Sequence, residues 1–282
     1  MAHNACILIL SSRQVSLLHC LGSIHEHFNH RYNYPIYVHY FDDIYDGEQV
    51  GVPNVEFIQV PYATPSHIKE EELFYNRANR YARGFGIQRK GYLHMCNFIC
   101  NMYNYPKTKV HSHDYVIVFD DDSGLTKEIP DPIGEHEMAA MITGQRLKDG
   151  RPPPNHIMTR EGLWDFTKKF IHKYRKYPKC QLLRDLLRDP NAEENYHYLP
   201  WSDGYVIKTS IFKTALWKRW IHAVNCNGGI YKHRWGDNEI MSLFYMIYSP
   251  TPIHNLGLVE NGCLDQSLFR YGMAPGVKDN ER

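Results

Sequence analysis

The segment that most constrains the fold is residues 115–122, YVIVFDDD, an apolar run that ends in three consecutive carboxylates. Val116, Ile117, Val118 and Phe119 favour extended backbone, and a short continuous apolar run of this kind reads as a central strand buried on both faces. Ser123-Gly124 follows as a turn signal. Asp120, Asp121 and Asp122 then stand at the carboxyl end of the strand, the edge at which open α/β sheets bind ligands. Adjacent carboxylates repel one another, so a folded chain keeps such a cluster with a cation nearby. Strand alternation sends Asp120 and Asp122 to one side and Asp121 to the other. Two oxygen donors on one side suit a hard divalent ion, Mn²⁺ or Mg²⁺, with phosphate oxygens completing its shell. A solvated acidic turn, or an aspartate capping the next helix, is the plainer alternative.

Upstream, residues 5–10 (ACILIL), 35–41 (PIYVHYF) and 55–60 (VEFIQV) read as strands. Residues 14–28 read as a helix, with Val15, Leu18, Leu21, Ile24 and Phe28 at helical spacing. Ser11 and Arg13 end the first strand, and Asp42 and Asp43 the second. Strand–helix–strand with polar residues at the strand ends is the opening of a nucleotide-binding α/β half. No GxGxxG and no GxxxxGK[ST] occurs, so neither the classical dinucleotide fold nor a P-loop is indicated. Helices are expected over residues 70–83, 92–103, 160–174 and 211–224. An apolar segment begins at Met138, and a short strand lies within residues 196–210. Residues 150–155, with three prolines in a row, form a loop or subdomain seam. Gly236-Asp237 precedes a further helix with Glu239 in its first turn; Asp237 as its N-cap is the structural reading.

The formal net charge of +1 provides no basic field, so nucleic acid is not an implied partner. The 21 Tyr, 12 Phe and 5 Trp suit sugar rings as well as cores. Seven widely spread cysteines, without CxxC or zinc-ligand spacing, read as a reduced, intracellular set. Cys96 and Cys100 share a helix face and are expected to pack as small apolar residues. No apolar run reaches the ~18 residues of a transmembrane helix. The amino terminus lacks a basic start and reads as a strand, not a signal peptide.

Four stretches carry a resemblance. They are FNHRYNYPIYVHYFDD; GYLHMCNFICNMYNYP, leading into the acid-ended strand; GLWDFTKKFI; and NGGIYKHRWGDNEIMSLF. In that order they resemble the fungal α-1,2-mannosyltransferases of the glycolipid 2-α-mannosyltransferase type, and the likeness runs over residues 5–260. The resemblance implies an α/β fold of GT-A type, with a mixed, mostly parallel central sheet flanked by helices. One domain, residues 1–282, would hold a Rossmann-like nucleotide-sugar half (5–125), an acceptor and catalytic half (126–265) and a flexible tail (274–282).

By the same resemblance, Asp120 and Asp122 fall on the family's acidic metal motif, with Asp121 where the family has proline. The implied cofactor is Mn²⁺ or Mg²⁺ bridging the phosphates of a nucleotide-sugar donor. Ser11, Arg13, Asp42 and Asp43 would hold base and ribose, and Tyr92 and Asp121 also belong to the donor side. Trp201, Tyr205 and Trp235 would line the glycan acceptor. His254 lies nearest the late histidine that the family uses as a metal ligand. The family's glutamate before its Gly-Asp strand has no counterpart in LPWSDGYV, which leaves stereochemistry open and makes Asp203, Asp237 and Glu239 the candidate bases. The expected function is metal-dependent transfer of a sugar, mannose from GDP-mannose by resemblance, to a glycan hydroxyl. A UDP-sugar donor such as UDP-xylose or UDP-glucose is the alternative. A non-enzymatic carbohydrate-binding module holding Ca²⁺ comes next. A paired-acid phosphohydrolase is weaker, because no second cluster of His and Asp appears. The family's members carry a membrane anchor that this sequence lacks, so a soluble, cytoplasmic enzyme is expected.

Overall fold

The computed structural model describes residues 3–11, 14–41, 51–60, 63–74, 90–140, 161–189, 204–258 and 261–265. The chain opens with β1 (Ala5–Ser11), buried along its whole length, and α1 (Gln14–Ile24). The helix widens to π geometry over His25–Asn29 and stops at Asn33, whose φ of 54° ends the helical path. Next come β2 (Ile36–Tyr40), β3 (Val55–Gln59), α2 (Lys90–Asn101) and β4 (Tyr115–Asp120). The short β5 (Gly124–Leu125) and β6 (Met138–Ala140) precede α3 (Leu163–Lys173) and α4 (Gln181–Leu186). The remainder is β7 (Gly204–Lys208), α5 (Ser210–Lys213), α6 (Ala215–Asn227), α7 (Gly229–His233), α8 (Asp237–Tyr248), β8 (His254–Asn255) and β9 (Leu264–Asp265).

Seven strands form one sheet in the order β3-β2-β1-β4-β7-β6-β8, while β5 and β9 pair separately. β1, β2, β3 and β4 run parallel, β7 is antiparallel to both β4 and β6, and β6 is parallel to β8. The sheet is therefore mixed and mostly parallel, with β7 alone reversed. β4 sits at its centre and is covered on both faces, which is why its sequence is continuously apolar. Leu8, Leu10, Val116, Val118 and Tyr205 belong to one core, shared with residues of α2, α3, α6 and α8. Ile7, Ile9, Ile117, Phe119 and Val206 belong to the other, packed against α1. Full burial contributes about 1.5–3 kcal/mol per large apolar side chain.

Three departures from the sequence reading have local causes. The inward stripe of α1 is Leu17, Cys20, Leu21 and Ile24, continued by Phe28, whereas Val15 is 69% and Leu18 37% exposed. Leu21, Ile24 and Phe28 face the sheet as expected, while in the first turns Leu17 and Cys20 take the inward places expected for Val15 and Leu18. Val15→Lys and Leu18→Lys are accordingly expected to change stability by less than about 0.5 kcal/mol, checked by urea denaturation. The helix expected over residues 211–224 breaks at Thr214, whose Oγ1 accepts the Trp217 N–H at 3.1 Å and caps α6. Of residues 70–83, Glu70–Glu72 form a 3₁₀ turn and Leu73 is extended, so helical geometry starts only at Phe74, the last described residue of the stretch. Residues 75–83, the proline-rich 150–155 and the tail 274–282 lie outside the described residues.

Candidate active site

β4 ends at Asp120, and the Ser123 N–H closes a turn onto the Asp120 carbonyl at 3.1 Å. Asp120 follows Val116 and Val118 onto the Tyr205 face of the sheet. Asp121 goes the other way and accepts the Ser11 hydroxyl at 2.7 Å, a buried bond that ties the carboxyl ends of β1 and β4 together. Beyond Asp121 the chain is in the turn, so strand alternation does not set the direction of Asp122, which is 7% exposed. The acidic-turn alternative required solvated carboxylates; Asp121 and Asp122 are instead both buried.

β7 is antiparallel to β4, with Gly204 opposite Phe119 and Tyr205 opposite Val118, so its first residues lie beside the acidic turn. The Tyr205 Oη donates to Asp237 Oδ2 at 3.4 Å, with both groups buried. Asp237 is the first residue of α8, and Gly236 occupies the N-cap position without a side-chain cap bond. The capping role is thereby excluded, and the Asp237 carboxylate is turned to Tyr205. Burial, then the charge of Glu239, raises the Asp237 carboxyl to about 6, against the pull of the Cys96 thiol, its own backbone N–H and the Tyr205 hydroxyl. The Tyr205 phenol is held well above its ordinary range by burial, then by Asp237, Cys100 and Asp120, so it remains a protonated donor.

Glu239, 4% exposed, folds back so that its Oε2 lies where a Cβ on Gly236 would sit; only glycine leaves room there. Two acids in the first turn of α8 also suit the helix dipole. Tyr92, on α2, is partly buried beneath Arg234, whose guanidinium lies 4.1 Å from the ring centroid. Burial, together with Cys96, Asp237 and Glu239, lifts the Tyr92 phenol well above its ordinary range, with Arg234 opposing. Arg234 and Cys96 are participants that the sequence reading did not select. Arg234 is 8% exposed and sits at φ 55°, and its Nε and Nη1 have no hydrogen-bond partner among the described residues. Cys96 is buried as expected, yet its thiol faces polar neighbours as well as core. A signal for Arg234 was present, since it opens the Arg-Trp-Gly-Asp run.

Three expectations are corrected. Trp235 is 2% exposed: its ring lies on Gly229 and 5.0 Å from Phe166, and its Nε1 donates to the Glu161 carbonyl at 2.7 Å. It is a core ring and offers no face to a sugar. Tyr205, 3% exposed, is likewise closed over, so its polar tip and not its ring meets the site. His254 lies on β8, three strands from β4 and level with Ile117, with its ring stacked on His136 at 4.7 Å. At about 4.8 Å per strand it is roughly 14 Å away across the sheet, too far to share an ion with Asp120 or Asp122. Arg13, Asp42, Asp43, Trp201 and Asp203 lie outside the described residues.

The packing of Trp235 on Gly229 has a consequence. A Cβ at residue 229 would overlap the indole. Gly229→Ala is expected to destabilise by about 1–3 kcal/mol in urea unfolding, because the ring must shift and Asp237 lies two residues beyond it.

Among the described residues, no three His, Cys, Asp or Glu side chains converge to hold a metal ion by themselves. The oxygen donors of Asp120 and Asp122 nevertheless fit a hard divalent cation of the kind held by one or two carboxylates and completed by substrate phosphates and water. The set supplies hard, anionic oxygens with no soft ligand, which suits Mn²⁺ or Mg²⁺.

The family model for glycolipid 2-alpha-mannosyltransferase matches residues 1–259. Glycolipid 2-alpha-mannosyltransferase 1 of Candida albicans is 25% identical over 97 residues, covering 34% of this chain and 22% of the relative. O-glycoside alpha-1,2-mannosyltransferase homolog 2 of Schizosaccharomyces pombe is 24% identical over 90 residues, covering 32% and 24%. The matches thus span less than a quarter of those relatives' lengths. The mannosyltransferase Ktr4p of S. cerevisiae, solved with GDP, superposes with a TM-score of 0.69 at 17% identity, over 88% of this chain and 67% of that one. Core-mannan synthase A of Aspergillus fumigatus in its Mn/GDP form gives 0.68 at 17% identity, over 86% and 69%. The fold is therefore that of the GT-A-type mannosyltransferases, and with nearly the whole sequence matched by one family model, the chain belongs to the glycolipid 2-alpha-mannosyltransferase family.

Proposed function

We propose that this chain is a metal-dependent glycosyltransferase that takes a sugar from a nucleotide-sugar, GDP-mannose, and moves it to a glycan hydroxyl. The observation that carries the reading is the arrangement at the carboxyl ends of β1 and β4. Asp121 accepts the Ser11 hydroxyl there beside Asp120 and Asp122, with the buried acids of α8 behind Tyr205. Family membership and structural relatives solved with GDP and with Mn/GDP support the nucleotide and the metal.

Asp120 and Asp122 would hold the cation, which when bound neutralises charge on the departing nucleoside diphosphate. The Ser11–Asp121 bond fixes the turn that carries both carboxylates, so the donor meets a preorganised edge. Asp237, raised to about 6, is ionised near neutral pH yet basic enough to accept a proton from an acceptor hydroxyl. Glu239 adds a second buried acid two residues on, in the same first turn of α8. No described helix is long and apolar enough to cross a membrane.

Calorimetry with GDP, UDP and their sugar conjugates, with and without Mn²⁺, tests the reading. Metal-dependent GDP binding with release of GDP from GDP-mannose is the expected result. Selective UDP binding would replace the donor, and no metal-dependent binding of any nucleotide would overturn the assignment.

A further inference from the structure

We propose that Tyr205 is a positioning residue of the transfer reaction, holding the Asp237 carboxylate in place over the acid-bearing end of β4. This rests on the transferase reading above and deepens it. The ring enters from β7 opposite Val118, two residues before Asp120 and on the face to which Asp120 projects. With 3% exposure the ring is sealed by neighbours, so only the hydroxyl is available to the polar cluster. That hydroxyl donates to Asp237 Oδ2 at 3.4 Å, and the phenol also lies within the field of Asp120. Tyr205, paired with Val118 of the central strand, thus reaches from the sheet to the start of α8. It joins the end that would carry the metal and diphosphate to the acid that would meet a sugar hydroxyl.

The geometry assigns the hydroxyl a mechanical task. Asp237 sits on a helix and Asp120 on a strand, and their separation depends on how α8 packs. A hydrogen bond from a strand-borne phenol adds a third donor to a carboxylate otherwise oriented by the Cys96 thiol and its own backbone N–H, and ties it to the sheet. Small displacements of a reacting group are costly in rate although they cost little in folding. The consequence is a residue whose loss is felt in turnover and not in nucleotide affinity. The pairing also accounts for a tyrosine with a buried ring at the mouth of a site: its ring belongs to the core and its oxygen to the chemistry.

Tyr205→Phe removes a single oxygen atom and keeps the ring. With Mn²⁺ and GDP-mannose, the expected result is a roughly 10- to 100-fold fall in kcat. Mn²⁺-dependent GDP affinity and donor KM should stay within about twofold and the melting temperature within a few degrees. A double-mutant cycle with Asp237→Asn, read as donor turnover, should be non-additive: once Asp237 is replaced, removing the Tyr205 hydroxyl has little further effect. Equal kcat for Tyr205→Phe and the unaltered protein, or additive losses in the cycle, would overturn the role. A matched fall in GDP affinity and melting temperature would also overturn it, by making the bond structural only. If the unaltered protein neither binds GDP nor turns over GDP-mannose, the transferase reading itself fails, which separates that failure from the others.

Discussion

Asp122→Ala is expected to abolish Mn²⁺-dependent nucleotide binding and sugar transfer while changing the melting temperature of the metal-free protein by no more than a few degrees. Asp122 lies in the turn after β4, so its substitution leaves the backbone ladder of the strand in place. The bond that anchors the turn, Ser11 to Asp121, is untouched. In the loaded state the same change would remove one of the two carboxylates proposed to hold the cation. The clearest readout is thermal. Ligand at about 100 times its dissociation constant stabilises a folded protein by about 2.7 kcal/mol, which is several degrees in melting temperature for a chain of this size. The unaltered protein should show that shift with Mn²⁺ and GDP together; Asp122→Ala should show none. A variant that retains the shift removes Asp122 from the metal, and a variant that melts far lower without any ligand makes the residue structural.

How much of this was legible beforehand depended on whether a feature was local. The acid-ended strand was, because a fully buried central strand announces itself by a continuous apolar run, and β4 occupies the centre of the sheet. The GT-A-type architecture was legible through four short stretches that kept their order, although identity to the curated relatives is near 25%. Side-chain destinations were not. Trp235 stands in a motif beside Asp237 and invited an acceptor role, but the space over Gly229 makes it core. The resemblance puts Tyr205 on the acceptor side as a sugar-stacking ring, whereas its register against Val118 buries the ring and leaves the hydroxyl. His254 was near in sequence to where a ligand was wanted, and sheet order put it three strands away. Arg234 and Cys96 acquire their roles only from the crossing of α2 with the start of α8, a long-range contact that no periodicity encodes. On α1, Leu21, Ile24 and Phe28 face inward as expected, but Val15 and Leu18 fit helical spacing as well as Leu17 and Cys20 do, and only packing chooses between them.

Two buried ionisable groups give the folded state opposing responses to acid, and separating them is expected to expose a stability change of about 3 kcal/mol in each direction. His39, fully buried on β2 against Phe98, has its ring pushed down from 6.5 to about 4 by burial, with the carbonyls of Ile9 and Tyr37 pulling the other way. Between those values the unfolded chain binds a proton that the folded one refuses, so this contribution is lost as pH falls. Asp237 runs opposite: burial, then Glu239, lifts it from 3.8 to about 6. Across that window the folded chain holds a proton that the unfolded one has released, so its contribution is lost as pH rises. At about 1.4 kcal/mol per unit, shifts of this size are each worth about 3 kcal/mol, and between pH 4 and 6 the two nearly cancel. Urea denaturation at pH 4, 5, 6 and 7, taken as differences from the unaltered protein, isolates each. His39→Leu should lose about 3 kcal/mol relative to the unaltered protein as pH rises from 4 to 6.5, leaving the Asp237 slope uncovered. Asp237→Asn should gain by a similar amount over the same range, leaving the His39 slope. Differences that stay flat with pH would mean that neither group carries a shifted proton in the folded state. Should only the Asp237→Asn difference vary, the same acid that Tyr205 holds would be the one titrating near neutrality, where an acceptor hydroxyl needs a base.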